Sequence, residues 1–330
     1  MNIAVISITK NGDNLAKKIR EKFNIHLFSK NLSKDFNFKE VVRNSFENYE
    51  AVVFITSTGI AVRSIAPYIT TKDKDPAVIV IDNLGKFVIS LLSGHLGGAN
   101  KLTEDIALVL EAEPIITTAT DNLGITAPDM IAKENDLIID SLKDAKDIAA
   151  LLVDGKEVGF IDEEKLISCP SGYVPELSQY DGVVYVTNKN VLECMEEKKI
   201  PKRLKLIRRN IILGIGCRKD YPIESMKEKV LEVLKEQNID TRAIKCIATV
   251  EVKKDERAII ELSKYLNCDM KIFTIEEIKK VQHKYEGSAF VEKTLGITSV
   301  CEPSIELAGG TVEISKMKLD GMTLAIGKEV

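Results

Sequence analysis

The sequence predicts an α/β protein with an amino-terminal open α/β sheet domain, a small α/β middle domain and a carboxy-terminal α/β domain. The chain has 330 residues, which is enough for two or three separate cores. Strand-like and helix-like segments alternate from the amino terminus and again from residue 210 onwards, whereas the stretch between has weak strands and a loop-rich segment. We therefore expect domains at 1–121, 122–209 and 210–330.

The amino-terminal part alternates short apolar runs with segments whose apolar residues recur at helical spacing. Asp82-Asn-Leu-Gly85 separates two of the apolar runs and predicts a hairpin-like turn. This alternation favours an open sheet with helices on its faces. Strands are expected at 2–8, 25–28, 51–56, 76–81, 87–92 and 114–118, and helices at 14–23, 38–49, 60–69 and 101–110.

The middle part carries weaker patterns, and its basic run at 198–209 predicts a solvated linker. Helices are expected there at 127–133 and 138–152, and strands at 157–161 and 183–186. After the linker the α/β alternation resumes, with a tight loop at 214–218 behind the first strand. Strands are expected at 210–215, 247–252, 270–273 and 321–326, and helices at 223–236, 255–266 and 275–281.

Composition excludes several classes of function. A net charge of -4 argues against a nucleic-acid binder, and the absence of Trp with only 5% aromatic residues argues against base-stacking surfaces. The apolar runs are too short to cross a membrane, and the amino terminus has no leader pattern. The six cysteines form no CxxC pair, which indicates neither a zinc site nor a disulfide framework. We expect a cytoplasmic protein with reduced thiols.

The most distinctive segment is Ser93–Asn100 (SGHLGGAN), which holds one of only three histidines between an expected strand and an expected helix. Glycines let a backbone approach a ligand closely, and a helix N-terminus offers free N–H donors. A neutral imidazole there is suited to general-base catalysis. A structural turn with a hydrogen-bonded histidine explains the segment equally well. The candidates are His95 and Ser93 for catalysis, and Gly94, Gly97, Gly98 and Asn100 for substrate binding.

Two further loops follow strands of the same expected sheet, where open α/β folds place their ligand crevice. Arg63 offers a planar guanidinium to a carboxylate, although a solvated helix arginine is at least as reasonable. Asp121 suits either the orientation of a histidine or the capping of the next segment. The candidates here are Thr58, Gly59, Arg63, Thr117, Thr118 and Asp121.

The carboxy-terminal part has its own glycine loop, GIGCRK, which leads into a helix and suggests a second anion-binding turn. Cys217 has no histidine nearby in sequence, so a buried structural cysteine is favoured over a nucleophile. A helix with free donors is expected to begin near Glu302. The candidates are Gly214, Gly216, Cys217, Arg218, Ser299, Cys301 and Glu302.

Several segments together resemble one known family. They are TSTGIAVRSIAPYI, SGHLGGANKLTEDIA and PIITTATD, followed by GIGCRKD, ATVEVKKDE, FVEKTLGITSVCEPSIELAGG and MTLAIGK. They resemble the CbiG family of cobalamin-biosynthesis proteins, the cobalt-precorrin 5A hydrolases of the anaerobic pathway. The similarity runs from about Ala51 to the end of the chain, with a weaker middle.

The resemblance implies a reaction on a cobalt-containing tetrapyrrole. Water opens the δ-lactone on ring A, and acetaldehyde then leaves to give cobalt-precorrin 5B. The cobalt belongs to the substrate, so the protein is expected to need no metal or cofactor of its own. The expected partners are this tetrapyrrole and neighbouring pathway enzymes, with no nucleic acid and no membrane.

The resemblance also suggests roles. We expect His95 to be the base, the amides around Gly97 and Gly98 to hold the lactone oxyanion, and the cleft between domains to hold the substrate. The alternatives are His95 as an axial cobalt ligand, a non-catalytic corrinoid carrier or scaffold, and a nucleotide- or phosphate-binding enzyme. The last lacks the Walker and dinucleotide fingerprints. The expected carboxylate receivers are Arg63, Lys72, Lys86, Lys101 and Arg218.

Overall fold

The structure is a computed structural model that describes residues 1–71, 74–175, 181–191 and 202–329. The expected carboxylate receiver Lys72 lies outside these ranges. The chain forms two compact units, one of residues 1–133, 149–156 and 170–173, and the other of residues 134–148, 157–169 and 174–330. The described residues form three mixed α/β regions with three sheets, which confirms the predicted fold class. The predicted boundaries at 1–121, 122–209 and 210–330 stay predictions.

The amino-terminal sheet has six strands in the order β2-β1-β3-β4-β5-β6. Strands β1 to β4 run parallel, β5 returns antiparallel to β4 through the predicted hairpin turn, and β6 is parallel to β5. The strands are β1 Ile3–Ser7, β2 Ile25–Ser29, β3 Ala51–Ile55, β4 Ala77–Ile81, β5 Phe87–Leu92 and β6 Glu113–Ile115. The helices are α1 Lys10–Arg20, α2 Phe38–Asn48, α3 Thr58–Ile65 and α4 Ala99–Leu110.

Apolar side chains on both faces of this sheet explain why the helices pack there. Leu15 and Ile19 of α1 share one core cluster with Ile106 of α4. Phe46 of α2 and Ile65 of α3 belong to a second cluster, which includes the strand side chains on the opposite face of the sheet. Because β3 and β4 are covered on both faces, every residue in them is buried. The carboxyl end of β5 thereby lies beside the start of α4.

The middle sheet has four strands in the order β7-β10-β9-β8, with β7 antiparallel to β10 and the other pairs parallel. They are β7 Leu137–Ile139, β8 Val158–Asp162, β9 Gly182–Thr187 and β10 Lys202–Arg208. The helices preceding and following β7 are α5 Ala119–Asn122, α6 Pro128–Glu134 and α7 Leu142–Val153. Helix α7 was predicted to begin at residue 138, but Leu137–Ile139 pairs with β10 instead, and the helix begins at Leu142.

The basic run predicted as a linker contains strand β10. Its residues Leu204, Leu206 and Ile207 are fully buried, and because Leu206 and Ile207 are consecutive, both faces of the strand are covered at that point. Arg208 is half-buried, and its guanidinium lies 2.7 Å from Asp162 Oδ2. The linker prediction was therefore wrong for 202–208, and the part of the run from 198 to 201 lies outside the described residues.

The carboxy-terminal sheet has five strands in the order β13-β12-β11-β15-β14. β11, β12 and β13 are parallel, and β15 is antiparallel to both β11 and β14. The strands are β11 Ile211–Cys217, β12 Ile244–Val250, β13 Asp269–Phe273, β14 Gly310–Lys318 and β15 Met322–Glu329. The helices are α8 Ile223–Glu236, α9 Arg257–Leu266, α10 Ile275–Val281, α11 Ala289–Leu295 and α12 Cys301–Leu307.

Two features of this sheet differ from the sequence prediction. Residues 214–217 belong to strand β11 and are not a loop. Gly214 is required because any Cβ there would overlap the carbonyl oxygen of Cys301, so α12 packs directly against the strand backbone. Strand β14 was not predicted, because it is an edge strand whose residues alternate between exposed and half-buried positions and form no apolar run.

Candidate active site

The loop between β5 and α4 is fixed by close backbone contacts. Ser93 adopts a left-handed conformation with φ of 57°, and its hydroxyl donates to the carbonyl of Asp75 at 3.0 Å. A Cβ on Gly97 would lie 2.5 Å from Ser93 Cβ and 2.7 Å from the Ser93 carbonyl oxygen, so only glycine fits. Ser93, predicted as a catalytic residue, therefore serves as an anchor of the loop in this structure.

Three amides at the end of this loop, those of Gly98, Ala99 and Asn100, are already bonded within the fold. The amide of Gly98 donates to the His95 carbonyl at 3.0 Å, and that of Asn100 donates to the Gly94 carbonyl at 3.0 Å. The amide of Gly97 has no hydrogen-bond acceptor within the ranges that the structure describes. Two amides were expected to hold an oxyanion. The N–H of Gly98 is already used in a hydrogen bond within the fold, whereas the N–H of Gly97 remains available.

His95 lies between two carboxylates. Its Nε2 is 2.9 Å from Asp121 Oδ2, and its Nδ1 is 3.4 Å from Asp129 Oδ1. Only 16% of the imidazole is exposed, whereas Asp121 is 40% exposed. The hydroxyl of Thr120 lies 3.3 Å from Nε2 on the same side as Asp121. The ring nitrogens therefore face two negative charges, one buried and one near solvent.

These contacts change the protonation of His95. The hydrogen bond with Asp129 and, to a smaller extent, that with Asp121 raise the pKa of His95 above its usual value, although burial opposes them. Asp129 contributes more even though Asp121 is closer, because Asp129 is buried and solvent screens it less. The two carboxylates thus stabilise the imidazolium form, in which both ring nitrogens donate.

Asn100 orients Asp121 from the first turn of α4. The side-chain amide nitrogen of Asn100 donates to Asp121 Oδ2 at 2.9 Å and to the Thr118 hydroxyl at 3.0 Å. Its carbonyl oxygen accepts from the Ser90 hydroxyl at 2.6 Å. A Cβ on Gly94 would lie 2.6 Å from that oxygen, which explains this glycine. The predicted candidates Gly94, His95, Asn100, Thr118 and Asp121 therefore meet in one cluster.

Sequence reasoning missed three residues of this cluster: Thr120, Asp129 and Lys133. Asp129 lies in the first turn of α6, where an acidic residue is favourable because of the helix dipole. The sequence around it therefore did not indicate that it contacts a histidine. The ammonium group of Lys133 donates to the Leu96 carbonyl at 2.9 Å and reaches the His95 carbonyl at 3.4 Å. Helix α6 therefore supplies both Asp129, which faces the imidazole, and Lys133, which hydrogen-bonds to the loop.

Other candidates of the amino-terminal unit have no described contact with this cluster. Thr58 and Gly59 begin helix α3, so the predicted loop is the first turn of that helix, and Arg63 is exposed on it. Thr117 is exposed beside Thr118. Lys101 lies 3.0 Å from Asp105 on its own helix, so its charge is locally paired. The exposed Lys86 lies at the β4–β5 turn.

The carboxy-terminal candidates divide into two groups. Gly216, Cys217, Arg218 and Ser299 line a cavity of about 700 Å³ in the second unit. Burial raises the pKa of the Cys217 thiol to about 11, which makes it a poor nucleophile at neutral pH.

The remaining candidates of that unit have structural contacts. Gly214 packs beneath helix α12, and Cys301 is fully buried with its Sγ 3.0 Å from the Thr323 hydroxyl. The carboxylate of Glu302 accepts from the Ser299 hydroxyl at 2.8 Å and from the Lys316 amide at 3.0 Å. Gly214, Cys301 and Glu302 are not among the residues that line the cavity.

Within the described ranges, no group of three or more His, Cys, Asp or Glu side chains has the arrangement of a metal site. No helix in those ranges is long and apolar enough to span a bilayer.

Comparison with known proteins covers nearly the whole chain. Three family models match it: Cobalamin synthesis G N-terminal at residues 40–121, Cobalamin biosynthesis central region at 126–197, and Cobalamin synthesis G C-terminus at 211–327. A Salmonella typhimurium protein named cobalt-precorrin-5A hydrolase is 34% identical over 99% of this chain and 97% of its own. A Priestia megaterium protein of the same name is 29% identical over 98% and 94%.

A further relative from Methanocaldococcus jannaschii is 30% identical over 100% of this chain and 99% of its own. The three matched ranges together include strands from each of the three sheets described above. The His95 cluster is built largely from the part of the chain that the amino-terminal model matches, with Asp129 and Lys133 supplied by the start of the central one. The chain therefore belongs to the cobalamin synthesis G (CbiG) family.

Proposed function

We propose that this chain hydrolyses cobalt-precorrin 5A, opening the ring A δ-lactone with water and releasing acetaldehyde to give cobalt-precorrin 5B. The names of its full-length relatives support the substrate and the class of reaction. The observation that carries the proposal within this chain is the imidazole held between Asp121 and Asp129 at a glycine loop. This cluster combines a proton donor, a proton acceptor and a backbone N–H in one place.

The raised pKa of His95, together with its two carboxylate neighbours, supports a proton-donor role, whereas a base was expected from the sequence. As imidazolium, His95 donates its Nε2 proton, which Asp121 accepts in a hydrogen bond before substrate binds, to the oxygen that leaves the lactone carbonyl. Asp121, which is partly exposed and oriented by Asn100, accepts the proton of the attacking water. The free amide of Gly97 is the available donor for the developing oxyanion. A protonated ring has no lone pair for cobalt, so axial ligation is disfavoured.

Acetaldehyde release follows from the opened lactone. Hydrolysis leaves a hydroxyl on the carbon that will depart with its methyl group. When a base removes the hydroxyl proton, the oxygen forms the carbonyl of acetaldehyde, the carbon–carbon bond to the macrocycle breaks, and the macrocycle takes the electron pair. The imidazole, which is neutral after its donation, is the acceptor within the His95 cluster for this proton.

The test is an anaerobic incubation of purified protein with cobalt-precorrin 5A, with acetaldehyde and corrinoid mass measured together. We expect wild type to release acetaldehyde, and H95Q and D121N to lose most of the rate, by about 10²–10⁴-fold. H283Q is the matched control, because His283 lies outside the cluster. Normal turnover by H95Q would refute the assigned role. Corrinoid binding without acetaldehyde from wild type would show the carrier function instead.

A further inference from the structure

The charged residues that line the cavity of about 700 Å³ in the carboxy-terminal unit all have the same sign. Five cationic residues line it, and its described lining contains no Asp or Glu. They come from three separate segments: the loop that follows β11, the segment after β12 and strand β14. The cations are Arg218, Lys219, Lys253, Lys316 and Lys318. Convergence of like charges from different segments is costly unless an anion or solvent offsets it.

The wall of the same cavity is apolar. Val250, Val300 and Met322 are buried side chains that reach it from β12, from the start of α12 and from β15. Val291 and Leu295 add to this surface from helix α11. A volume of this size suits a ligand as large as a cofactor. The site therefore combines an apolar wall with a cationic rim, which suits a flat apolar ring with anionic groups at its edge.

The cations differ in how strongly the protein engages them. Lys253 Nζ lies 3.5 Å from the buried Glu256 carboxylate, and Lys316 Nζ donates to the Glu286 carbonyl at 2.8 Å. The Arg218 guanidinium stands 5.6 Å from the centre of the Tyr221 ring. Lys219 and Lys318 are exposed and have no ion-pair partner within the described ranges. Arg218, Lys219 and Lys318 are thus available to a ligand without breaking an ion pair.

We infer that this cavity is a binding site for the carboxylated edge of a tetrapyrrole macrocycle, separate from the His95 cluster. The choice of a tetrapyrrole over other anionic apolar ligands rests on the proposed function. Its recognition is ionic at the rim and apolar at the wall, and it needs no proton transfer. The neutral thiol of Cys217 adds polarizable surface and no charge.

The experiment titrates the full-length protein with cobyrinic acid, a corrinoid with free side-chain carboxylates, and with its methyl ester, in which they are blocked. We expect the acid to bind, the ester to bind at least tenfold more weakly, and acid binding to weaken between about 0.05 and 0.5 M salt. The triple variant R218Q/K219Q/K318Q is expected to weaken acid binding about tenfold, as for three exposed ion pairs. Equal binding of acid and ester, or of wild type and triple variant, would overturn the inference.

The matched control is K235Q/K264Q/K280Q, which removes the same charge from exposed positions outside the cavity of the same unit. It should bind the acid within about twofold of wild type, and an equal loss in both triple variants would refute a specific site. K219R/K318R retains the charge and should retain binding even if the glutamines perturb folding. Tighter binding of ATP than of cobyrinic acid would also overturn the inference. Acetaldehyde release is measured separately, so its absence would reject the hydrolase proposal and leave this binding site standing.

Discussion

Replacing Asp129 by asparagine tests the protonation of His95 most directly. The variant D129N keeps the size of the side chain but removes the buried negative charge that faces Nδ1 at 3.4 Å. Asp129 is the largest cause of the raised pKa of His95, so that pKa should fall in the variant. D121N should lower it less, because Asp121 is partly exposed and solvent screens its charge.

The free energy of unfolding should change with a defined dependence on pH. A hydrogen bond to a charged group contributes roughly 1.5–3 kcal/mol, and the 3.4 Å separation places this one at the lower end, at about 1.5 kcal/mol. Because the folded pKa of His95 lies above its ordinary value of 6.5, the stabilisation is fully present below that value. It is lost as the pH rises through the folded pKa. D129N should therefore be less stable than wild type at pH 6 and approach it at pH 9.

The assay combines two measurements. Nuclear magnetic resonance of the imidazole carbons follows the pKa of His95 in wild type, D129N and D121N, with His26 and His283 as internal references. Urea unfolding followed by circular dichroism gives the free energy of unfolding at both pH values. An unchanged pKa of His95 in D129N, or a stability difference that does not vary with pH, would refute the imidazolium assignment.

Three further outcomes are expected. G97A should destabilise the protein by about 1–3 kcal/mol in thermal unfolding and reduce acetaldehyde release, because the new methyl group meets Ser93 at 2.5 Å; unchanged melting would contradict this. G214A should destabilise the carboxy-terminal unit by a similar amount, since its Cβ would overlap the Cys301 carbonyl; a silent substitution would show that α12 shifts freely. C217A should retain the rate of acetaldehyde release at saturating substrate because the thiol is neutral, and a large loss of that rate would assign the thiol a catalytic role.

Local pattern was sufficient for most of the secondary structure. The strands at 51–55 and 77–81 are continuous β-branched and apolar runs, and both formed close to the predicted bounds. The pattern failed where covering elements are remote in sequence. Residues 138 and 139 fit a helical pattern in the sequence, but they pair with β10 as a strand. The sequence of β10 resembles a charged linker because four of its seven residues are cationic. Gly214 reads as a turn, although its role is the close approach of α12.

The candidate site shows the same division. The sequence alone determined that a histidine, several glycines and a strand-to-helix junction occur together, because these depend on neighbours along the chain. Only the tertiary structure decided that Asp129 faces the imidazole and that the Gly98 amide is engaged. It also brought five cations from separate segments to one cavity. Charge state and hydrogen bonding depend on distances through space, which the packing of remote segments sets and which spacing along the chain does not encode.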